Sequence, residues 1–269
     1  MRKVYENWVS GLEWDWSISR ERHFGVPIPA WQCHKCHEII LAKESELPID
    51  PVQVKKLCPK CKSPAVPETK VLDTWTTSSL SPQIASSLVG NKVKVPFSLR
   101  PQGHDIIRTW AYYTIVRSFY HEKKHPWENI SISGFVTLSG EKMAKSKGNI
   151  IKPQVVMEQF GSDAVRFWAA SSKLGENMDY QEKDILTGKK FITKLLNAAN
   201  FAFINIHDKP KKPKKLEKVD ELFLIALNNA IFTATHRFEN YDYFKAKFIA
   251  DEFFWKSFCD NYLEIIKNR

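Results

Sequence analysis

Four of the five cysteines fall into two Cys-x-x-Cys pairs, Cys33 with Cys36 and Cys58 with Cys61, and no other feature constrains the early fold so tightly. Each pair can close a tight turn whose backbone N–H groups face two thiolates, and two such turns supply the four soft ligands of a tetrahedral Zn²⁺. The pairs are separated by 21 residues, 37 to 57, just beyond the usual spacer of about 15–20. Two disulfides would fit the same spacing, but a cytoplasmic setting disfavours them. Four protein ligands leave no open position, so the zinc expected here is structural. His34 and His37 flank the first pair and could replace a thiolate; their simpler reading is as polar loop residues. Cys259, alone in an aromatic-rich helical stretch, reads as a small core residue.

The 269 residues are 43% hydrophobic and 13% aromatic, which excludes wholesale disorder and fibrous repeats and leaves room for one or two packed domains. The longest obvious apolar stretch, Leu222 to Leu227, falls far short of the ~20 residues that span a bilayer. The opening Met1-Arg2-Lys3-Val4-Tyr5-Glu6 does not continue into a signal-peptide core, so a cytoplasmic protein with no membrane partner is expected. Forty basic residues against 30 acidic give +10. That balance suits a polyanionic partner such as nucleic acid, although charge alone argues for solubility and non-specific attraction.

Along the chain, Trp14 to Trp31 reads as a short strand or turn followed by an extended segment, because Pro27 and Pro29 prevent continuous helix. Val71-Leu72-Asp73-Thr74-Trp75 reads as a strand end running into a Thr/Ser-rich turn. Ser98 to Asp105 is a strand-to-loop signal opening a helix with Ile106, Trp110, Tyr113, Val116 and Tyr120 on one face. A strand follows at Asn129 to Val136, then a glycine-bounded lysine loop, Gly140-Glu141-Lys142-Met143-Ala144-Lys145-Ser146-Lys147-Gly148-Asn149. Pro153 suits a helix first turn, and Ser162-Asp163 can cap the next helix. From Thr187 the pattern is purely helical. It is interrupted by the basic run Lys209-Pro210-Lys211-Lys212-Pro213-Lys214-Lys215, and Asp220 to Arg269 reads as two amphipathic helices joined near Glu239 to Asp242. Alternating strands and helices at the front suggest part of a parallel α/β sheet, whose ligands bind at strand carboxyl ends, and the rear suggests an all-α module.

Two segments carry chemistry. Lys142 and Lys145, held between glycines, can swing together onto a triphosphate and stabilise charge that develops when a nucleophile attacks phosphorus; an exposed basic turn is the bland alternative. Gly103-His104-Asp105 at a strand end offers close backbone approach to a nucleotide and a carboxylate for ribose hydroxyls, yet Asp105 could equally be a helix cap. Trp75 and Ile106 are core residues or the walls of a small aliphatic pocket.

Taken together, WSISRERHFGVPIPAW, the cysteine pairs, VLDTWTTSSLSP, LRPQGHDIIRTWAYYTI, GEKMAKSKGN, FGSDAVRFWAA and KLLNAANF resemble the class Ia aminoacyl-tRNA synthetases, and within them the valyl enzymes of archaeal type. The resemblance implies α/β plus all-α architecture: the C-terminal half of a Rossmann-type nucleotide-binding fold with a zinc-knuckle insertion, then a helical stem-contact and anticodon-binding region. The implied domains are the second half of the catalytic domain at 1–175 with the knuckle at 32–63, a helical stem-contact region at 176–208, a basic linker at 209–219 and the start of the anticodon-binding domain at 220–269.

It further implies that Lys142, Met143, Ala144, Lys145 and Ser146 form the family's Lys-Met-Ser-Lys-Ser loop. Lys142 and Lys145 would be catalytic, with Met143 and Ser146 joining them at ATP. Gly103, His104 and Asp105 would lie at the adenosine, Asp73, Trp75 and Ile106 at valine, and Cys33, Cys36, Cys58 and Cys61 at zinc. The implied reaction is ATP-dependent activation of valine with Mg²⁺ assisting, then transfer to a valine-type tRNA.

Ala144 stands where the family has serine, which removes a hydroxyl and keeps both lysines. Ser17 replaces a usual cysteine. The family's His-x-Gly-His motif is found nowhere in the sequence, so half of the expected ATP site is absent and a second polypeptide carrying the N-terminal catalytic half is an expected partner. Met1 near the junction after the family's editing insertion favours a chain that starts there. A non-catalytic, zinc-containing tRNA-binding fragment and an isoleucyl-type fragment are the alternative readings, and a truncated product or a relic fits the length as well.

Overall fold

The computed structural model describes residues 1–13, 15–206 and 213–267. They fold as two units: Met1–Arg100 with Asp105–Ile130, and Pro101–His104 with Ser131–Arg269.

The first unit opens with helix α1 (Arg2–Ser10) and strand β1 (Ser19–Arg20). A small antiparallel sheet of β2 (Ala30–Cys33), β3 (Ile39–Leu41) and β4 (Ala65–Pro67) follows, in the order β3-β2-β4. Trp31 is its anchor: the indole is buried, donates its Nε1–H to the Val54 carbonyl at 2.9 Å, and lies under the Lys56 ammonium at 4.4 Å. Strand β5 (Val71–Leu72) pairs antiparallel with β1. The Thr/Ser-rich segment after it is helix rather than turn: α2 (Thr74–Ser78) is nucleated by Asp73, which accepts the Trp75 N–H, the cap side chain outweighing modest Thr and Ser propensities. Helix α3 (Ser81–Leu88) comes next.

Strand β6 (Phe97–Gly103), a 3₁₀ turn at His104–Ile106, a π turn at Ile107–Ala111, helix α4 (Tyr112–Glu122) and strand β7 (Trp127–Ser133) form a β-helix-β sequence. Backbone and side-chain contacts advance in step, Phe97 with Pro126, Ser98 with Asn129 and Gln102 with Ser133, the order of a parallel pair. The predicted helix face is shifted. The wide π turn rotates the register, so the buried stripe is Ile107, Trp110, Ala111, Thr114 and Ser118, while Tyr120 is 72% exposed. Trp110 donates to the Ser78 carbonyl at 2.9 Å and Arg117 to the Ser79 hydroxyl at 3.2 Å, joining this run to α2 and the residue that caps its C-terminus.

The second unit contains β8 (Val136–Leu138), β9 (Glu141–Lys142), helices α5 (Pro153–Phe160) and α6 (Ser162–Ala169), and β10 (Met178–Asp179). The three strands form one sheet, β10 parallel and β9 antiparallel to β8. Pro153 does occupy the first turn of α5, but α6 starts without a side-chain cap: Gly161 is its cap residue, and Ser162 and Asp163 lie within the helix. The long helix α7 (Glu182–Asn205) packs on α6 where Gly188 lets it pass; a Cβ there would lie 2.8 Å from the Ala164 carbonyl oxygen. Val156, Phe160, Ala164, Trp168 and Ile185 form the core. Ile185 is wholly buried, which stabilises by about 1.5–3 kcal/mol.

Residues 207–212, which include Lys209 to Lys212 of the basic run, lie outside the described residues. Helix α8 (Lys218–Glu239), α9 (Tyr243–Glu252), a π segment at Phe253–Tyr262 and α10 (Leu263–Ile266) complete the chain. As expected, Cys259 is buried, in a cluster with Ala198 and Phe254. No described helix is long and apolar enough to cross a membrane.

Candidate functional site

The cysteine cluster is built from two matching turns. In the first, Cys33 N–H donates to the Glu38 carbonyl and His37 N–H to the Cys33 carbonyl; in the second, Cys58 N–H donates to Ser63 and Lys62 N–H to Cys58. His37 and Lys62, each directly after the second cysteine of its pair, both adopt left-handed φ, 58° and 60°. The four sulfurs converge within 4.8 Å of one another, with Cys33–Cys61 at 3.4 Å, Cys36–Cys58 at 3.5 Å and Cys36–Cys61 at 3.6 Å. A tetrahedron with Zn–S bonds near 2.3 Å has S···S edges of about 3.8 Å, so the four Sγ atoms fit zinc with shifts of a few tenths of an ångström. Four thiols this close cannot all ionise unaided. Backbone and hydroxyl donation from Ser63 pulls Cys61 down to about 6. At Cys36 the Glu38 backbone works to lower the pKa, yet the neighbouring sulfurs and burial push it up to about 12. A divalent cation is the species that would let all four hold charge together. His34 Nδ1 is turned away to the Pro64 carbonyl at 3.0 Å.

In the second unit the lysine loop hangs from a hairpin. Leu138 pairs with Glu141 across Ser139 and Gly140, whose φ values of 53° and 80° are both positive, the two-residue turn whose twist matches its strands. Asp179 accepts Gly140 N–H at 2.9 Å and the Thr137 hydroxyl at 2.8 Å, and these donors hold its carboxyl below the usual range. At the loop's other end Asn149 accepts Ala144 N–H at 2.8 Å and donates to the Lys142 carbonyl at 3.4 Å. Lys145, Ser146 and Lys147 make a 3₁₀ turn closed by left-handed Gly148.

The three lysines occupy different states. The Lys142 ammonium lies 3.8 Å above the Phe135 ring, Lys147 pairs with Glu141 at 2.9 Å, and exposed Lys145 has no ion-pair partner among the described residues. Met143 is half-buried and Ser146 exposed. His104, half-buried at the end of β6, packs its ring against the same Phe135 at 4.3 Å, so one aromatic side chain joins the two predicted nucleotide motifs. Gly103 and His104 belong to this unit, whereas Asp105 and Ile106 open the helical run of the first.

Asp73 is buried and engaged on both oxygens, by Trp75 N–H at 2.8 Å and by Arg20 Nε at 2.9 Å. Arg20 also donates to the Ser17 and Ser19 carbonyls. Trp75 on α2 and Ile106 in the 3₁₀ turn are both half-buried. Three residues that shape the lysine loop were not anticipated: Phe135, Asn149 and Asp179. Phe135 and Asn149 are local to it; Asp179 is 39 residues beyond Gly140, with no nearby pattern to signal it.

A profile described as tRNA synthetases class I (I, L, M and V) matches residues 1–181. The chain belongs to the class I tRNA synthetase family. A second profile, the anticodon-binding domain of tRNA ligase, matches residues 220–269 of this synthetase chain. Among its relatives are valine–tRNA ligases of Picrophilus torridus, 43% identical over all of this chain and 35% of that protein, and of Thermoplasma volcanium, 44% identical over 99% and 35%. That of Wolbachia pipientis wMel is 43% identical over 100% and 33%. The synthetase chain therefore spans about a third of the length of these relatives. The fold is shared with a solved Agrobacterium radiobacter K84 LeuRS–tRNA–LeuAMS complex, TM-score 0.72 at 21% identity, covering 88% of this chain and 34% of that one. It is shared too with Mycobacterium tuberculosis methionyl-tRNA synthetase in complex with methionyl-adenylate, TM-score 0.70 at 20% identity, covering 98% and 47%.

Proposed function

We propose that the chain supplies the lysine loop, a ribose-binding segment and a structural zinc knuckle to a valine-activating tRNA synthetase, the rest lying on further sequence or on a second polypeptide. What carries this reading is the end-to-end match to valine–tRNA ligases at 43–44% identity with both signature lysines retained in a braced loop. The boundaries 1–175, 176–208, 209–219 and 220–269 then mark its catalytic half, stem-contact helix, linker and anticodon-binding start.

In this reading a valine carboxylate oxygen attacks the α-phosphorus of ATP, and the bond to pyrophosphate breaks. Lys145 and Lys142 stabilise the negative charge that grows on the phosphate oxygens, an effect strengthened because the loop is fixed beforehand. Gly103 and Asp105 hold the ribose with His104 alongside, Met143 and Ser146 complete the loop's contacts, and Trp75, Ile106 and Asp73 shape the amino-acid side. Mg²⁺ on the triphosphate would neutralise further charge. Transfer to a valine-type tRNA follows, the reaction taking place in the cytoplasm.

The test is valine-dependent exchange of pyrophosphate into ATP, by the chain alone and mixed with the N-terminal part of a valine–tRNA ligase. Exchange in the mixture, lost on Lys145→Ala, is expected. Silence with both pieces folded, or stimulation by isoleucine in place of valine, overturns the assignment. The anticodon-binding match and the +10 charge support a second reading, a tRNA-binding fragment without catalysis, which silence together with salt-sensitive tRNA binding would favour.

A further inference from the structure

Residues 175–180 run as a strap beside the segment that carries the lysine loop. Gly175 N–H donates to the Ile132 carbonyl, Met178 N–H to Phe135 and Tyr180 N–H to Thr137, while the Asn177 side chain accepts Phe135 N–H at 2.9 Å. The fit is close: a Cβ on Gly134 would lie 2.1 Å from the Glu176 carbonyl oxygen. These contacts fix β8. Only Asp179 reaches past it to the turn, taking Gly140 N–H on the same oxygen that takes the Thr137 hydroxyl.

We propose that Asp179 is a positioning residue for nucleotide activation, locking the Ser139–Gly140 turn so that β9 presents Lys142 toward the phosphates. The proposal rests on the reading of the lysine loop as the phosphate site. The turn residues themselves are exposed and adopt positive φ, so their conformation is maintained by what holds Gly140 N–H rather than by burial. A carboxylate is suited to this because it accepts from two donors at once and makes the stronger, charge-assisted bonds. The same short segment leads directly into α7, which starts at Glu182, so the phosphate loop and the long helix share one mechanical anchor.

The experiment compares Asp179→Ala and Asp179→Asn in the full chain. Amide hydrogen exchange at 139–147 is expected to speed up roughly tenfold in Asp179→Ala while α5 and α6 stay protected. In the mixture with the N-terminal part, kcat for pyrophosphate exchange is expected to fall about tenfold or more with KM for valine unchanged, as misplacement of a catalytic group does. Asp179→Asn keeps an oxygen acceptor and should stay within about threefold of the parent on both readouts. Should Asp179→Ala not fold, Thr137→Val removes one of the two donors and should loosen the same residues to a lesser degree. Unchanged exchange at 139–147, or an Asn variant as impaired as the Ala variant, overturns the proposal. A parent mixture with no activity overturns the functional reading instead, and the amide-exchange comparison still decides whether Asp179 holds the turn.

Discussion

The Lys142 ammonium stands 3.8 Å above the centre of the Phe135 ring, and the imidazole of His104 packs against that same ring at 4.3 Å. At an exposed site a cation–π contact is worth about 0.5–1 kcal/mol. A double-mutant cycle with Phe135→Leu and Lys142→Met, read by urea unfolding, should return a coupling of that size, and a value near zero would show that the ring does not hold the lysine.

The cysteine cluster should hold about one zinc per chain by elemental analysis, since four thiolates complete its coordination. Chelation, or Cys58→Ser, should expose the amides of β2, β3 and β4 to hydrogen exchange and leave α5 to α7 protected. Cys259→Ser should retain full zinc. Equal metal content in Cys58→Ser and the parent would refute the site.

Breaking the Asp73–Arg20 pair should be costly, because Asp73 is only 6% exposed on its side chain while Arg20 is 32% exposed. Allowing for that partial exposure, Arg20→Met should lower unfolding free energy by about 2–3 kcal/mol. Asp73→Ala should cost about 1 kcal/mol more through loss of the α2 cap. Losses under half a kilocalorie in urea titrations would mean the pair is incidental.

Gly134 and Gly140 separate steric from conformational need. At Gly140 an added Cβ meets nothing within 4 Å, but φ is +80°, so Gly140→Ala should cost only the left-handed penalty of about 1–2 kcal/mol. At Gly134 the Cβ would collide with backbone at 2.1 Å, so Gly134→Ala should destabilise more and loosen residues 175–180 in hydrogen exchange. The reverse ranking would mean the strap shifts freely.

Lys189, Lys190 and Lys194 line a cavity of about 510 Å³ with Trp255. If α7 meets RNA phosphates there, replacing all three by alanine should lower the slope of log K against log salt by about 3 in tRNA gel shifts. An unchanged slope would place RNA elsewhere.

Much of this was legible in the sequence because it is local. The cysteine spacing announced its cluster, Pro153 marked a helix start, and the glycine-bounded lysines stood out as a loop. The errors came where one local signal outweighed another. Asp73 capped a helix in a Thr/Ser run that read as turn, and the π turn at Ile107–Ala111 rotated a periodicity that assumed 3.6 residues per turn. What could not be read were partners made by tertiary folding. Nothing near Asp179 says that it will meet Gly140, and nothing in His104 or Lys142 says that Phe135 will join them.

The strap carries a consequence for synthesis. Thr137 waits for a partner 42 residues downstream, so when the lysine hairpin leaves the ribosome only its own strand pairing closes the turn. The second hold, from Asp179, arrives only after α5, α6 and residues 175–180 have emerged. The lysine loop thus gains its side anchor only after α5 and α6 have been made, later than its own place in the sequence suggests.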